Sequence, residues 1–172
     1  MCNLDYKLSI SAMKYKLLFV CLGNICRSPG AENIMNHLLE ERGLTRYISC
    51  DSAGTSNYHI GDPPDRRMSI TLKNRGLPHQ GEARQFTPID FWDFDLILAM
   101  DRSNLRDILA LDPSGDHHEK VKLFCEFARH HSLQEVPDPY YGGPDGFEKV
   151  ADLLHDACEG LLEYLNQQGT IK

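Results

Sequence analysis

Residues Tyr15 to Val20 form a short apolar run that stops at a glycine-containing turn, and apolar residues at helical spacing follow. A run without polar alternation suits a strand buried on both faces, as in parallel sheets covered by helices. Pro29 suits a first helical turn, Ala31, Ile34, Met35, Leu38 and Leu39 recur on one face, and Gly43 ends the element. Strand, loop and helix in that order commit the chain to the α/β class, and the rest repeats the theme. Arg46 to Asp51 reads as a second strand, followed by a Gly/Ser/Pro-rich loop over 52–64 and a helix over about 65–74 closed by Gly76. Phe94 to Met100 is a strand, and Asp101 or Ser103 can cap the helix carrying Leu105, Ile108 and Leu109, which Asp112-Pro113 breaks. Val121 to Cys125 is a weaker strand, and after a polar loop to Tyr141 the last helix covers about 145–165. The expectation is a three-layer, doubly wound α/β fold, with a four-stranded, mainly parallel sheet flanked by helices.

At 172 residues one domain suffices, taken as 15–172. Residues 1–14 read as an N-terminal tail, and Met1 and Met13 both stand as candidate starts. With 18 basic against 25 acidic residues the net charge is −7 and no basic run offsets it, which argues against a nucleic-acid partner. The six cysteines are scattered, unlike a disulfide framework or zinc knuckles. No apolar stretch approaches the roughly 18 residues of a membrane span, and no cleavable leader is evident. A cytoplasmic protein with no membrane partner, a monomer or weak oligomer, is therefore expected. His117-His118 and His130-His131 lie in polar segments and read as solvated loop residues, so neither a metal nor a cofactor is expected. The absence of a Gly-x-x-x-x-Gly-Lys-Ser/Thr run leaves an NTPase unsupported.

The segment that carries chemistry is Cys21-Leu22-Gly23-Asn24-Ile25-Cys26-Arg27-Ser28-Pro29, between the first strand and the first helix. A Cys followed by an Arg at this spacing recurs by chance; the strand-to-helix setting, and the Ser-Pro that follows, make it informative. Ligands of parallel α/β sheets bind at the carboxyl ends of strands, and successive loop N–H groups with a helix N-terminus cradle anions. Gly23 and Asn24 tolerate the positive φ that such a cradle needs. The loop amides, the helix dipole and Arg27 favour negative charge on both a Cys21 thiolate and a bound phosphate. Arg27 offers a planar fork to two phosphate oxygens, and Ser28 can donate a hydroxyl to the sulfur. Cys26 admits two readings: a reversible disulfide with Cys21, or packing beneath the loop. Far downstream, Asp138-Pro139-Tyr140-Tyr141 places a carboxyl group in a polar loop, where it can protonate a leaving group and then activate water. Tyr140 and Tyr141 could wall a slot for an aromatic ring.

From about Lys16 to Leu165 the chain resembles the low molecular weight protein tyrosine phosphatases, in a bacterial-type form. Beside the two segments above, the resemblance rests on Asp-Ser-Ala-Gly-Thr-Ser at 51–56, Ala-Arg-Gln at 83–85, Met-Asp at 100–101 and Ser-Asn-Leu-Arg at 103–106. It implies a metal-free hydrolase of phosphotyrosine in proteins, with Cys21 as nucleophile through a phosphocysteine, Arg27 as phosphate binder and Asp138 as general acid, then base. It implies that Asn24, Ser28 and Ser52 form a network holding the loop Leu22, Gly23, Asn24, Ile25, Cys26 and Ser28. It also implies Tyr58, Tyr140 and Tyr141 at the pocket rim. Gly81 stands where eukaryotic members carry a His, so that part of their network does not carry over, and Gly30 after Ser-Pro matches bacterial members. Arsenate reduction fits the same cradle but needs resolving thiols close together, whereas Cys125 and Cys158 are far apart in sequence. Protein-arginine phosphatases carry Thr and Phe where this chain has Ile25 and Tyr140. A catalytically silent phosphate-binding module gains nothing obvious from Asp138.

Overall fold

The computed structural model describes residues 13–171. Apart from Met13 and Lys14, the expected tail, and with it the choice of start, lies outside the described residues. Four strands, β1 (Tyr15–Cys21), β2 (Ile48–Gly54), β3 (Leu96–Ala99) and β4 (Val121–Leu123), form one sheet in the order β2-β1-β3-β4. All three pairings are parallel: Tyr15↔Ile48 through Cys21↔Gly54, Leu17↔Leu96 through Val20↔Ala99, and Ile97↔Val121 through Ala99↔Leu123. The helices are α1 (Arg27–Glu41), α2 (Arg66–Asn74), α3 (Asp90–Asp93), α4 (Arg102–Leu109) and α5 (Pro144–Gln167).

The period of two along β1 divides the core. Leu17 and Phe19 face a layer that includes Ile34, Met35, Met68, Leu72, Leu154 and Leu161, from α1, α2 and α5. Leu18 and Val20 face Phe86, Phe91 and Ile108 on the other side. Phe19 also meets Phe124 edge-on, with ring centroids 5.2 Å apart, a pairing that adds about 1 kcal/mol to its burial. The three-layer, doubly wound architecture is as expected, and the sheet is parallel throughout.

Boundaries differ from the sequence reading for local reasons. Tyr47 closes the turn after α1 through its N–H to Leu44, so β2 starts at Ile48, and it runs on to Gly54 because β1 offers partners as far as Cys21. Phe94 caps α3, a helix the sequence did not announce, so β3 is limited to Leu96–Ala99. After Leu123 the chain turns into a short 3-10 helix, Phe124–Phe127, packed under α5. There Gly160 of α5 lies against the Phe127 carbonyl so closely that no Cβ would fit. Asp101 rather than Ser103 caps α4, its Oδ1 accepting the Asn104 N–H at 2.7 Å. In this order β1 has β2 on one side and β3 on the other, so its carboxyl end is the point where strand order reverses, where open α/β sheets bind ligands.

Candidate active site

Cys21 is the last residue of β1, and the loop from it to Arg27 is held from outside by its carbonyls. Cys21 O and Leu22 O accept the N–H groups of Thr55 and Ser56 at 2.9 Å, and Ile25 O accepts that of Asp65 at 2.6 Å. The amides of Leu22, Gly23, Ile25, Cys26 and Arg27 find no acceptor among the described residues. Donors without partners at the start of a helix form an anion cradle. A Cβ on Gly54 would lie 2.8 Å from Leu22 O and 3.1 Å from Asn24 N, so only glycine lets the end of β2 pass under the loop.

Asn24, at φ 55°, is the one non-glycine residue with positive φ among the described residues, and its side chain is the node that holds this geometry. Its Nδ2 donates to Ser28 Oγ and Ser52 Oγ, both at 2.9 Å, while its Oδ1 accepts the Arg84 N–H at 2.9 Å. Its backbone N–H points at Cys21 Sγ, 3.3 Å away, and Ser28 Oγ lies 3.0 Å from the same sulfur. Asn24, Ser28 and Ser52 are all buried, so losing any one partner would leave a polar group unpaired at a cost of about 1–3 kcal/mol. Ser52 in turn donates to Glu32 Oε2 at 2.6 Å. Burial pushes the Glu32 carboxyl up to about 7 against the pull of that hydrogen bond.

Arg27 is 4% exposed, and only its Nη1 is engaged, with Asp101 Oδ2 at 2.6 Å and Val136 O at 3.0 Å. Its Nε and Nη2 have no acceptor among the described residues and remain as a fork. Asp138 is exposed at the start of a short turn over Pro139–Tyr141, with its Oδ1 accepting the Tyr140 N–H at 3.0 Å.

One cavity of about 310 Å³ gathers Cys21, Leu22, Gly23, Ile25, Cys26, Arg27, Asp138, Tyr58 and Tyr140. Asn24, Ser28 and Ser52 lie beneath it. Tyr141 does not line it; at 86% exposed it meets Tyr140 edge-on and faces solvent. Burial, reinforced by Cys21 and Asp65, pushes the Cys26 thiol well above the usual range. Four lining residues escaped the sequence reading: His59, Asp65, Arg67 and Phe147. Arg67 lies 5.0 Å from the Tyr140 centroid and 4.8 Å from that of Phe147, and Asp65 grips it with both carboxylate oxygens at 2.9 and 3.2 Å. Asp65 was legible as the start of α2, but its pairing with Arg67 had no spacing signal.

The histidine pairs are not merely solvated. His117 N–H and Asp112 Oδ2 are 2.8 Å apart, and Asp156 Oδ2 accepts the His130 N–H and faces His131 Nδ1, both at 2.9 Å. Each pair thus steadies a buried carboxylate. Among the described residues no group of three or more His, Cys, Asp or Glu is placed to hold a metal ion, and no helix is long and apolar enough to cross a membrane.

Residues 16–170 match the family model described as "Low molecular weight phosphotyrosine protein phosphatase". A Synechocystis protein that bears the family's name is 62% identical over 153 residues, covering 89% of this chain and 98% of that one. A low molecular weight phosphotyrosine protein phosphatase of Schizosaccharomyces pombe is 47% identical over 149 residues, covering 86% and 95%. Among solved structures, a protein tyrosine phosphatase from Entamoeba histolytica with Hepes in its active site superposes with a TM-score of 0.87 at 44% identity, covering 91% of this chain and 99% of that one.

Proposed function

The chain belongs to the low molecular weight phosphotyrosine protein phosphatase family, and we propose that it hydrolyses phosphotyrosine in proteins through a phosphocysteine on Cys21. The observation that carries this reading is the sulfur's setting. Cys21 Sγ sits at the base of a cradle of unpaired amides, 3.0 Å from Ser28 Oγ, in one cavity with Arg27 and Asp138.

In the first step the Cys21 thiolate attacks phosphorus opposite the leaving oxygen. The S–P bond forms as the P–O bond to the phenol breaks, and the protonated Asp138 carboxyl gives its proton to the departing oxygen. Charge builds on the equatorial oxygens, where Nε and Nη2 of Arg27 and the loop amides receive it. Because Asp101 and Val136 O hold Nη1, the guanidinium is oriented before substrate arrives. In the second step Asp138, now a carboxylate, takes a proton from water, whose oxygen attacks phosphorus. The S–P bond breaks, Ser28 donates its hydroxyl hydrogen bond to the leaving sulfur, and inorganic phosphate departs. Tyr58 and Tyr140 frame the mouth and suit an aromatic leaving group.

Cys21→Ser should abolish turnover while retaining affinity for inorganic phosphate. Asp138→Ala should lower kcat about 10²- to 10⁴-fold for phosphotyrosine peptides. A rapid-quench mass spectrum should place one phosphoryl group on Cys21. Full activity in Cys21→Ser sinks the mechanism, and a preference for phosphoarginine peptides or arsenate over phosphotyrosine sinks the substrate assignment.

A further inference from the structure

Glu32 stands on α1 beneath the cavity, and no step above uses it. Its Oε2 accepts the Ser52 hydroxyl at 2.6 Å, Ser52 Oγ accepts one Asn24 amide proton at 2.9 Å, and the other proton of that amide goes to Ser28 Oγ at 2.9 Å. The chain ends at Cys21 Sγ, 3.0 Å from Ser28 Oγ.

Counting protons gives this chain a direction. Ser52 has one hydroxyl proton, and giving it to Glu32 turns the oxygen's lone pairs toward Asn24. The Asn24 amide then commits both protons, and its oxygen is held by the Arg84 N–H, so the amide cannot flip. Ser28, accepting from Asn24, keeps its own proton for Cys21 Sγ, with Ala53 O at 3.3 Å as the competing acceptor. Without an acceptor at position 32, the Ser52 proton is free to turn toward Asn24 Nδ2, donor against donor.

We infer that Glu32 is a positioning residue, holding the Ser52 hydroxyl so that the Asn24–Ser28 chain delivers its last hydrogen bond to the catalytic sulfur. Other groups around the carboxylate do not supply that acceptor. Asp51 and Cys50 approach from β2, Arg84 approaches from the loop after α2, and Asn36 of α1 is occupied by the Cys50 thiol at 3.1 Å. Gly81, with no atom within 4 Å of its Cβ position, brings no side chain to the site. The chain is cooperative, each hydrogen bond polarising the next, so the effect at sulfur belongs to the whole path.

The inference rests on Cys21 being the nucleophile, and a double-mutant cycle tests it separately. Glu32→Ala should lower kcat for p-nitrophenyl phosphate about fivefold to tenfold, with the inhibition constant of inorganic phosphate changed less than about twofold. Glu32→Gln, whose amide oxygen can accept from Ser52, should recover most of that loss. Ser52→Ala, breaking the next link, should reproduce it and stands in where Glu32→Ala does not fold. In a Ser28→Ala background, Glu32→Ala or Ser52→Ala should change kcat by less than about twofold. Additive losses in that cycle, or a Gln variant as slow as Ala at unchanged Tm, would overturn the inference. Activity in Cys21→Ser would instead overturn the mechanism beneath it.

Discussion

Replacing Glu32 by Gln should make folding stability climb with pH, and replacing His79 by Gln should make it decline. Burial, aided by Asp51 and opposed by Ser52 and Arg84, moves Glu32 from 4.5 to about 7. Burial, opposed by Asp65, moves His79 from 6.5 to about 4; its Nδ1 meets Ser69 Oγ at 2.8 Å while its Nε2 is buried with no partner among the described residues. For Glu32 the folded state holds the proton more tightly, so its contribution is complete below 4.5 and is lost as pH rises through about 7. For His79 the folded state holds the proton less tightly, so a penalty develops as pH falls from 6.5 toward about 4. Between pH 5 and 8 linkage gives a loss of about 2–3 kcal/mol from Glu32 and a gain of about 2 kcal/mol from His79, opposite in sign. Solvent reaches part of both side chains and reduces each to about 1–2 kcal/mol, or roughly 2–8 °C in Tm for a chain of this size. Urea unfolding of the native protein and both variants at pH 5, 6, 7 and 8, at fixed ionic strength, reads this directly. Titrating groups that are not coupled to position 32 or 79 cancel in the variant-minus-native difference. That difference should rise with pH for Glu32→Gln and fall for His79→Gln; curves parallel to the native one across the range would refute the reasoning.

Two further predictions separate roles within the site. Asp101→Asn keeps an oxygen to cap α4 but removes the negative charge that pairs with and orients Arg27, so the inhibition constant of inorganic phosphate should rise about tenfold while Tm moves by a few degrees; an unchanged constant would deny Asp101 its hold on Arg27. Gly54→Ala drives a methyl into the loop from Cys21 to Arg27 and should cost about tenfold or more in kcat/KM together with stability, whereas Gly160→Ala drives one into Phe127 O and should lower Tm by several degrees with kcat retained, as melts and initial rates on both will show.

What was legible in the chain was what local pattern encodes. Tyr15 to Val20, the loop after it and the stripe of α1 announced themselves because strand burial, turn chemistry and helical period act within a few residues. Asp101 is one of two caps the sequence offers for α4 and is the one used, but its second oxygen holds Arg27, 74 residues away in sequence, and no spacing rule reaches that far. Glu32 carries no local sequence signal; only the docking of β2 against α1 brings Ser52 to it. Arg67, in the first turn of α2, and Asp65, which caps that turn, border the cavity together with Tyr140 and Phe147, which arrive from the far end of the chain. Tyr141, paired with Tyr140 in sequence, points elsewhere because the short turn at 139–141 cannot face both rings into one cavity.

The loop from Cys21 to Arg27 is short in sequence, yet its fastenings are long. Ser56 reaches Leu22 across 34 residues, Arg84 reaches Asn24 across 60, and Val136 reaches Arg27 across 109. Such contacts form late, because the entropy cost of closing a loop rises with the length of chain it encloses. On refolding from urea, catalytic turnover should therefore return no sooner than the slowest step of tertiary assembly. Trp92, the single tryptophan, sits on α3 and is largely exposed, with its ring edge-on to His117 at 4.5 Å, so its fluorescence follows that local contact and the return of turnover times the closing of the whole fold.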